Sequence, residues 1–382
     1  MAGLVALEVV NVHVNRFSRT LCVTAAAALA LGSLSACGSE EPEENAPVAG
    51  EPAQPQDSPD DSSGLGEQIE LGESTLGAAR VGLSADENAP GANLVAVLTK
   101  GKVHFIDATS PKDEPSQVDV DDSCDNISTT ATGVAVACQD KAIELGPDGK
   151  ETRSLDVDGK VTTVTFLENG KAVLGKAGED KARFYDKDGN ETGDAIVSRS
   201  LDEAVLVKPH GRGQRAALID RGQTSINDVD VDDGSLNASL RIGQGVGQVA
   251  TGRGDDGVVV ASDARQDQML IYTMNDVVRL HQAIPTKASP WGVAWDAKRQ
   301  LAWVSSAGEN KLTSFLIDSG APVKVAEVEA PSKVREVLDA ASGALVLVTE
   351  DGKVSVYSAQ SVDDAVQDKQ TTPEDEYPAE KE

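Results

Sequence analysis

Between residues 289 and 320 the chain reads SPWGVAWDAKRQLAWVSSAGENKLTSFLIDSG. Short apolar runs are broken every few residues by Gly, Asp or Asn, and no helical period appears. The pattern predicts three strands, at 292–295, 301–305 and 311–317, joined by turns at 296–299 and 308–310. Weaker copies fill the chain from about 77 to 359. Their third strands are VHFID at 103–107, AIEL at 142–145, ARFYD at 182–186, SINDV at 225–229, MLIY at 269–272, 312–317 and VSVY at 354–357. Each has an apolar second strand upstream, such as LVAVL at 94–98 or VAVA at 134–137. The step is about forty residues, the size of one four-stranded propeller blade.

Seven such units predict an all-β fold, a seven-bladed β-propeller of four-stranded antiparallel blades. The seventh unit lacks a fourth strand, because the chain from Ser361 onward is too polar to supply one. An open ring would expose unpaired edges on its first and last blades. The alternating segment QIEL at 68–71 precedes the first unit and is expected to close the ring against the last. A helical solenoid is the alternative architecture, but no segment of the domain carries a sustained helical stripe.

The unit at 289–320 resembles the YVTN-type propeller repeat. The resemblance rests on Pro290, Gly292, Val293, Ala294, Asp296, Arg299, the run 301–304, Asn310, Leu312 and Asp318. The other six units are degenerate copies.

The N-terminus changes the picture of where the domain works. Arg16 and Arg19 precede an apolar run at 20–34, which is too short to span a bilayer comfortably. Leu34-Ser35-Ala36-Cys37 then resembles the bacterial lipobox. By that resemblance residues 1–36 are a lipoprotein signal peptide, and Cys37 becomes the lipidated mature N-terminus, carrying a diacylglycerol thioether and palmitate. Residues 1–14, with Glu8, are unusual ahead of a signal peptide and fit a translation start placed too far upstream. With the acidic segment that follows, the chain resembles actinobacterial surface lipoproteins of the LppL prolipoprotein type. The resemblance implies a secreted, lipid-anchored propeller on the extracytoplasmic face of the cell membrane, and no activity.

Residues 38–70 hold ten acids, five prolines and no Lys or Arg, so 37–66 is expected to be a disordered acidic tether. Residues 361–382, with eight acids and two lysines, are expected to be a disordered tail, leaving 67–360 as the propeller. The formal net charge of −29 excludes nucleic acid and anionic lipid as electrostatic partners. Of the four cysteines, Cys22 leaves with the signal peptide and Cys37 takes lipid. Cys124 and Cys138 remain, an even pair in an oxidising compartment, and are expected to form a disulfide. A hairpin turn centred on Ala131 would place them directly opposite each other on adjacent strands.

Candidate chemistry is sparse. Asp228, Asp230 and Asp232, followed by Asp233-Gly234, match the start of a calcium loop, but Ser239 stands where the closing Glu belongs. They are read as a hairpin turn, with no metal expected. Asp186, Asp188, Asn190 and Asp194 are a poorer match. His104, His210 and His281 have no partners at zinc spacing, and no nucleophile elbow, P-loop or dinucleotide fingerprint occurs. Trp291, Trp295 and Trp303 are assigned to blade core, with Trp291 the one placed to face a ligand.

The expectation is a monomeric, non-enzymatic binding or scaffold module for an envelope protein or ligand, without catalytic residues or cofactors. The alternative is a propeller enzyme, of lactonase or hydrolase type, with a metal in the central channel. The two separate on channel carboxylates and histidines, of which an enzyme needs several converging there.

Overall fold

In the computed structural model, which describes residues 50–59, 61–318 and 320–370, strands form seven sheets of four. The segment expected to be a signal peptide, 1–36, and Cys37 lie outside the described residues. Six blades are consecutive antiparallel meanders, with inner strands Thr75–Arg80, Asn126–Thr129, Val161–Phe166, Glu203–Val207, Val246–Thr251 and Pro290–Asp296. The seventh blade starts at Val334–Asp339, and its fourth strand is Glu67–Glu70, paired with Lys353–Tyr357. Gln68 lies opposite Ser355 and Ile69 opposite Val354. The segment before the first unit therefore closes the ring, and no blade is left with a missing partner strand.

The apolar grading seen along the chain follows from radius. Second strands such as Leu345–Thr349 and Val134–Ala137 are buried along their whole length, sandwiched between neighbouring blades. Outer strands meet water, and Glu191–Ile196 is exposed at nearly every position. Core clusters accordingly lie between blades. Trp295 packs with Met269 and Ile271 of the fifth blade, and Trp303 with Val337 and Leu347 of the seventh. Both indoles are blade core, whereas Trp291 is only half-buried.

The turn into the third strand recurs with one conformational demand. The residue just before that strand is Gly101, Thr224, Asp267, Asn310 or Gly352 in five blades, and each has a positive φ between 49° and 86°. Gly and Asn carry that conformation at least cost, which gives Asn310 of the best-matching unit a backbone role.

Cys124 and Cys138 form a disulfide, with Cα atoms 3.9 Å apart. The pairing is as expected, but the register differs. Ile127 pairs with Val136 and Thr129 with Val134, so the turn holds four residues, 130–133, and Cys138 falls opposite Asp125. The bridge is diagonal, just beyond the strand ends. Thr130 sets the longer turn: its Oγ1 accepts from Gly133 N at 2.9 Å and donates to Glu144 Oε1 at 2.6 Å.

Two segments depart from their compositional reading. From Gly50 the acidic segment lies against the propeller. Gly50 rests on Gly222, Arg265 Nη2 donates to Glu51 O, Gln56 N donates to Ser289 Oγ, and Lys333 N donates to Ser58 Oγ. Ser62 and Ser332 exchange two hydrogen bonds, and Leu65 N donates to Tyr357 Oη at 3.0 Å. This strap runs from the fourth blade to the seventh, over the face that carries the turns between second and third strands. Ala53 is buried beneath it. Its prolines lower the entropy cost of docking, so hydrogen bonds suffice where apolar burial is scant.

The C-terminal segment from Ser361, expected to be disordered, is helical to Gln370. The helix Ala359–Gln370 is capped by Ser358, whose Oγ accepts from Ser361 N. Val362 and Val366, four residues apart, pack with Trp303 and Tyr357. Arg299 clamps the helix by donating to Asp363 Oδ1 at 2.7 Å and to Ala359 O. The helix sits on the face opposite the strap. No helix among the described residues is long and apolar enough to cross a membrane.

Candidate functional site

The seven inner strands surround a central channel, and polar side chains occupy both of its ends. At the end away from the strap, Arg80 Nη1 meets Asp339 Oδ1 at 2.7 Å and Nη2 donates to Thr251 Oγ1 at 3.0 Å. Arg253 reaches Asp339 Oδ2 at 3.3 Å and donates to the carbonyls of Gly82, Ser84 and Asp339. Burial, with Arg80 nearby, pushes the Arg253 guanidinium down to about 10. Two arginines and one aspartate thus plug this end, drawn from the first, fifth and seventh blades.

Gln248 ties the middle. Its Oε1 accepts from Val293 N at 2.8 Å and from Val337 N at 3.0 Å. Both amides lie where the inner strands shift register against their second strands, at Pro290/Val293 and Val334/Glu336. A shift frees backbone groups from the ladder, and a buried amide must then find another partner.

Toward the strap face the channel opens into a cavity of about 210 Å³. Glu203 and Glu336 line it, with Asp202 and Arg221. Arg221 Nη2 donates to Glu203 Oε2 at 2.7 Å, and its backbone amide donates to Asp202 Oδ2 at 2.7 Å. Arg221 Nη1 also binds Gly247 O. Burial raises the Glu203 carboxyl above its ordinary range, against the pull of Arg221. Glu336 is pushed up to about 8, first by burial and then by the Glu203 charge. Leu76, about half exposed, lines the same cavity at the start of its strand.

The residues singled out in the sequence lie elsewhere. Asp228 is buried beside Arg215, with Oδ1 at 3.1 Å from Nη2, and its Oδ2 accepts from Val278 N. Burial raises its pKa, while Arg215 opposes the rise. Asp230 Oδ1 accepts from the amides of Asp232 and Asp233 within the hairpin turn, and Asp232 pairs with Lys171. These three carboxylates are thus committed to different partners. His104 is buried against Thr99 Oγ1 at 3.0 Å, His281 bonds Thr273 and His210 is exposed near Asp255. Trp291 stacks near Arg335 at 5.9 Å, and Arg335 pairs with Glu350.

Glu203 and Glu336 stand 133 positions apart and match no motif, so spacing could not find them. The structure places each in an inner strand, at Glu203–Val207 and Val334–Asp339, ranges that the sequence reading did not assign.

No protein-family model matches the chain, and no curated protein matches it. Solved structures do. The chain is similar to Kuenenia stuttgartiensis hydrazine synthase, with a TM-score of 0.59 and 13% identity over 76% of this chain and 97% of that one. It is also similar to the Neurospora crassa Pan2 WD40 domain, with a TM-score of 0.56 and 9% identity over 71% of this chain and 87% of that one. At these identities the likeness is one of fold: a seven-bladed propeller of WD40-like architecture.

Proposed function

We infer that this chain is a lipid-anchored binding or scaffold module held at the extracytoplasmic face of the cell membrane through Cys37. On this reading its repeat is of the YVTN type, and it resembles the LppL-type prolipoproteins. The observation that carries the binding role is the state of the channel. One end is plugged by Arg80, Asp339 and Arg253, which are matched to one another. The other is a small cup whose Arg221 is already committed to Glu203. Such a disc offers loops and a cup for recognition, as propellers commonly do. The partner is an envelope protein or ligand.

Two measurements on one preparation test this reading. The mature protein from the membrane fraction is expected to begin at an acylated Cys37, read by mass spectrometry of its N-terminal peptide. It is also expected to turn over no lactone or ester, with or without added divalent metal. An unmodified N-terminus would remove the anchor. Turnover lost in Glu203→Gln would replace the binding role with the hydrolase alternative.

A further inference from the structure

Glu336 is the group in the channel that the fold does not explain. Its half-buried side chain lines the cavity and has no hydrogen-bond or ion-pair partner among the described residues. Every other charged group near it is engaged. Glu203 and Asp202 of the fourth blade are held by Arg221. Arg335, next to it on its own strand, is turned to Glu350 and the Trp291 ring. On the flanking inner strands, Arg80 is paired with Asp339 and Asp296 with Arg299. A carboxyl confined in a small cavity without a partner is harder to charge than one in bulk water, and a Leu or Gln would avoid the cost.

We propose that the cup is a binding site for a primary ammonium group, seated between Glu336 and Glu203. The proposal gives the binding-module reading its ligand chemistry and rests on that reading, but not on the lipid anchor. The cavity of about 210 Å³ admits an aminoalkyl chain and no folded segment. A lysine side chain of a partner and a small free amine share this chemistry. A divalent metal is a poorer match, because no group of three metal-ligating side chains gathers among the described residues. The ammonium supplies the three N–H donors and the positive charge that the pair of carboxylates lacks.

Binding should be linked to protons. In the empty site Glu336 is held protonated near neutrality, by burial and by Glu203. An arriving ammonium favours the carboxylate, so the proton leaves as the cation enters, and affinity rises with pH until Glu336 ionises by itself.

Calorimetry on the full-length protein in detergent tests this, with n-butylammonium and N-acetyl-lysine methylamide as probes. Tetramethylammonium, equal in charge but without N–H donors, is the control. Saturable binding of one or both probes is expected, tightening by more than about tenfold from pH 6 to pH 8, with heats that track buffer ionisation as a proton is released. Preference between the probes separates a free amine from a partner's lysine. Glu336→Gln, close to isosteric, should lose binding by more than about tenfold and lose the proton release. The pH dependence and proton release of the unaltered protein decide the matter even where that variant folds poorly. No saturable binding of either probe, equal binding by Glu336→Gln, equal binding of tetramethylammonium, or calcium binding in their place would overturn the proposal. None of those results touches the acylation and turnover measurements, so the binding-module reading would survive them.

Discussion

Arg80 and Asp339 meet at 2.7 Å across the seam where the first blade closes on the seventh. The ring is thus closed twice, by backbone pairing at its outer edge and by an ion pair at its inner one. Asp339 also compensates Arg253. Asp339→Asn would leave two buried guanidinium groups facing each other, at an expected cost of about 3–5 kcal/mol. Arg80→Met should cost less, because Arg253 still answers the carboxylate. Urea unfolding of the two variants checks the order, and equal losses would contradict it.

The strap makes truncation graded. A chain beginning at Gly50 keeps every described contact and should melt like the full protein. One beginning at Asp61 loses the bonds of Glu51, Gln56 and Ser58 and the buried Ala53, and should melt several degrees lower. One beginning at Leu71 loses the strand Glu67–Glu70 and exposes the edge of Lys353–Tyr357, so aggregation on light scattering is expected.

For the disulfide, the closed loop of about 15 residues predicts a loss of about 3 kcal/mol in Cys124→Ser or Cys138→Ser, and the same loss on reduction of the unaltered protein. Thiol counting on the denatured, unreduced mature protein should find no free thiols from this pair. Two would refute the bridge in solution.

Calcium should leave the melting temperature unchanged. The Asp228 carboxylate faces Arg215, and a dication would have to displace that guanidinium. Asp228→Ala should instead cost about 3 kcal/mol or more, from the charge of Arg215 left buried and unanswered. A calcium-dependent rise in melting temperature that disappears in Asp230→Ala would reverse this assignment.

Glu336 predicts a pH dependence of stability. Its carboxyl is raised from 4.5 to about 8 on folding, so the folded state favours the protonated form. That contribution is complete below pH 4.5 and is lost as pH rises through 8. Glu336→Gln cannot ionise. Relative to it, the unaltered protein should lose at most about 1.4 kcal/mol per pH unit across that window. Parallel stability curves for the two proteins would show that Glu336 is not the group responsible.

Where local pattern and burial coincide, the chain could be read directly. Second strands are flanked by blades on both sides, so runs such as VAVA at 134–137 and LVLV at 345–348 stand out from everything around them. Asn310 and the Gly residues of its sister turns mark a backbone conformation that few side chains accept. The closing strand was legible because a ring with seven third strands and six fourth strands has one vacancy. The disulfide was legible by count, but its register was not. The length of the turn at 130–133 depends on Thr130 meeting Glu144, a contact made across the blade.

What the sequence alone determined was the repeat, its seven copies and the segment that completes the last. These rest on alternation and turn chemistry within a few residues, which any stretch of chain carries by itself. What only the tertiary structure decided was the docking of residues 50–66, the helix Ala359–Gln370 and the content of the channel. The strap is held by scattered hydrogen bonds to the fifth, sixth and seventh blades, and the helix by two valines and Arg299. Glu203 and Glu336 become neighbours only when the fourth and seventh blades face each other across the axis. Their charges act through space rather than along the chain, and so ring closure is what makes them one site.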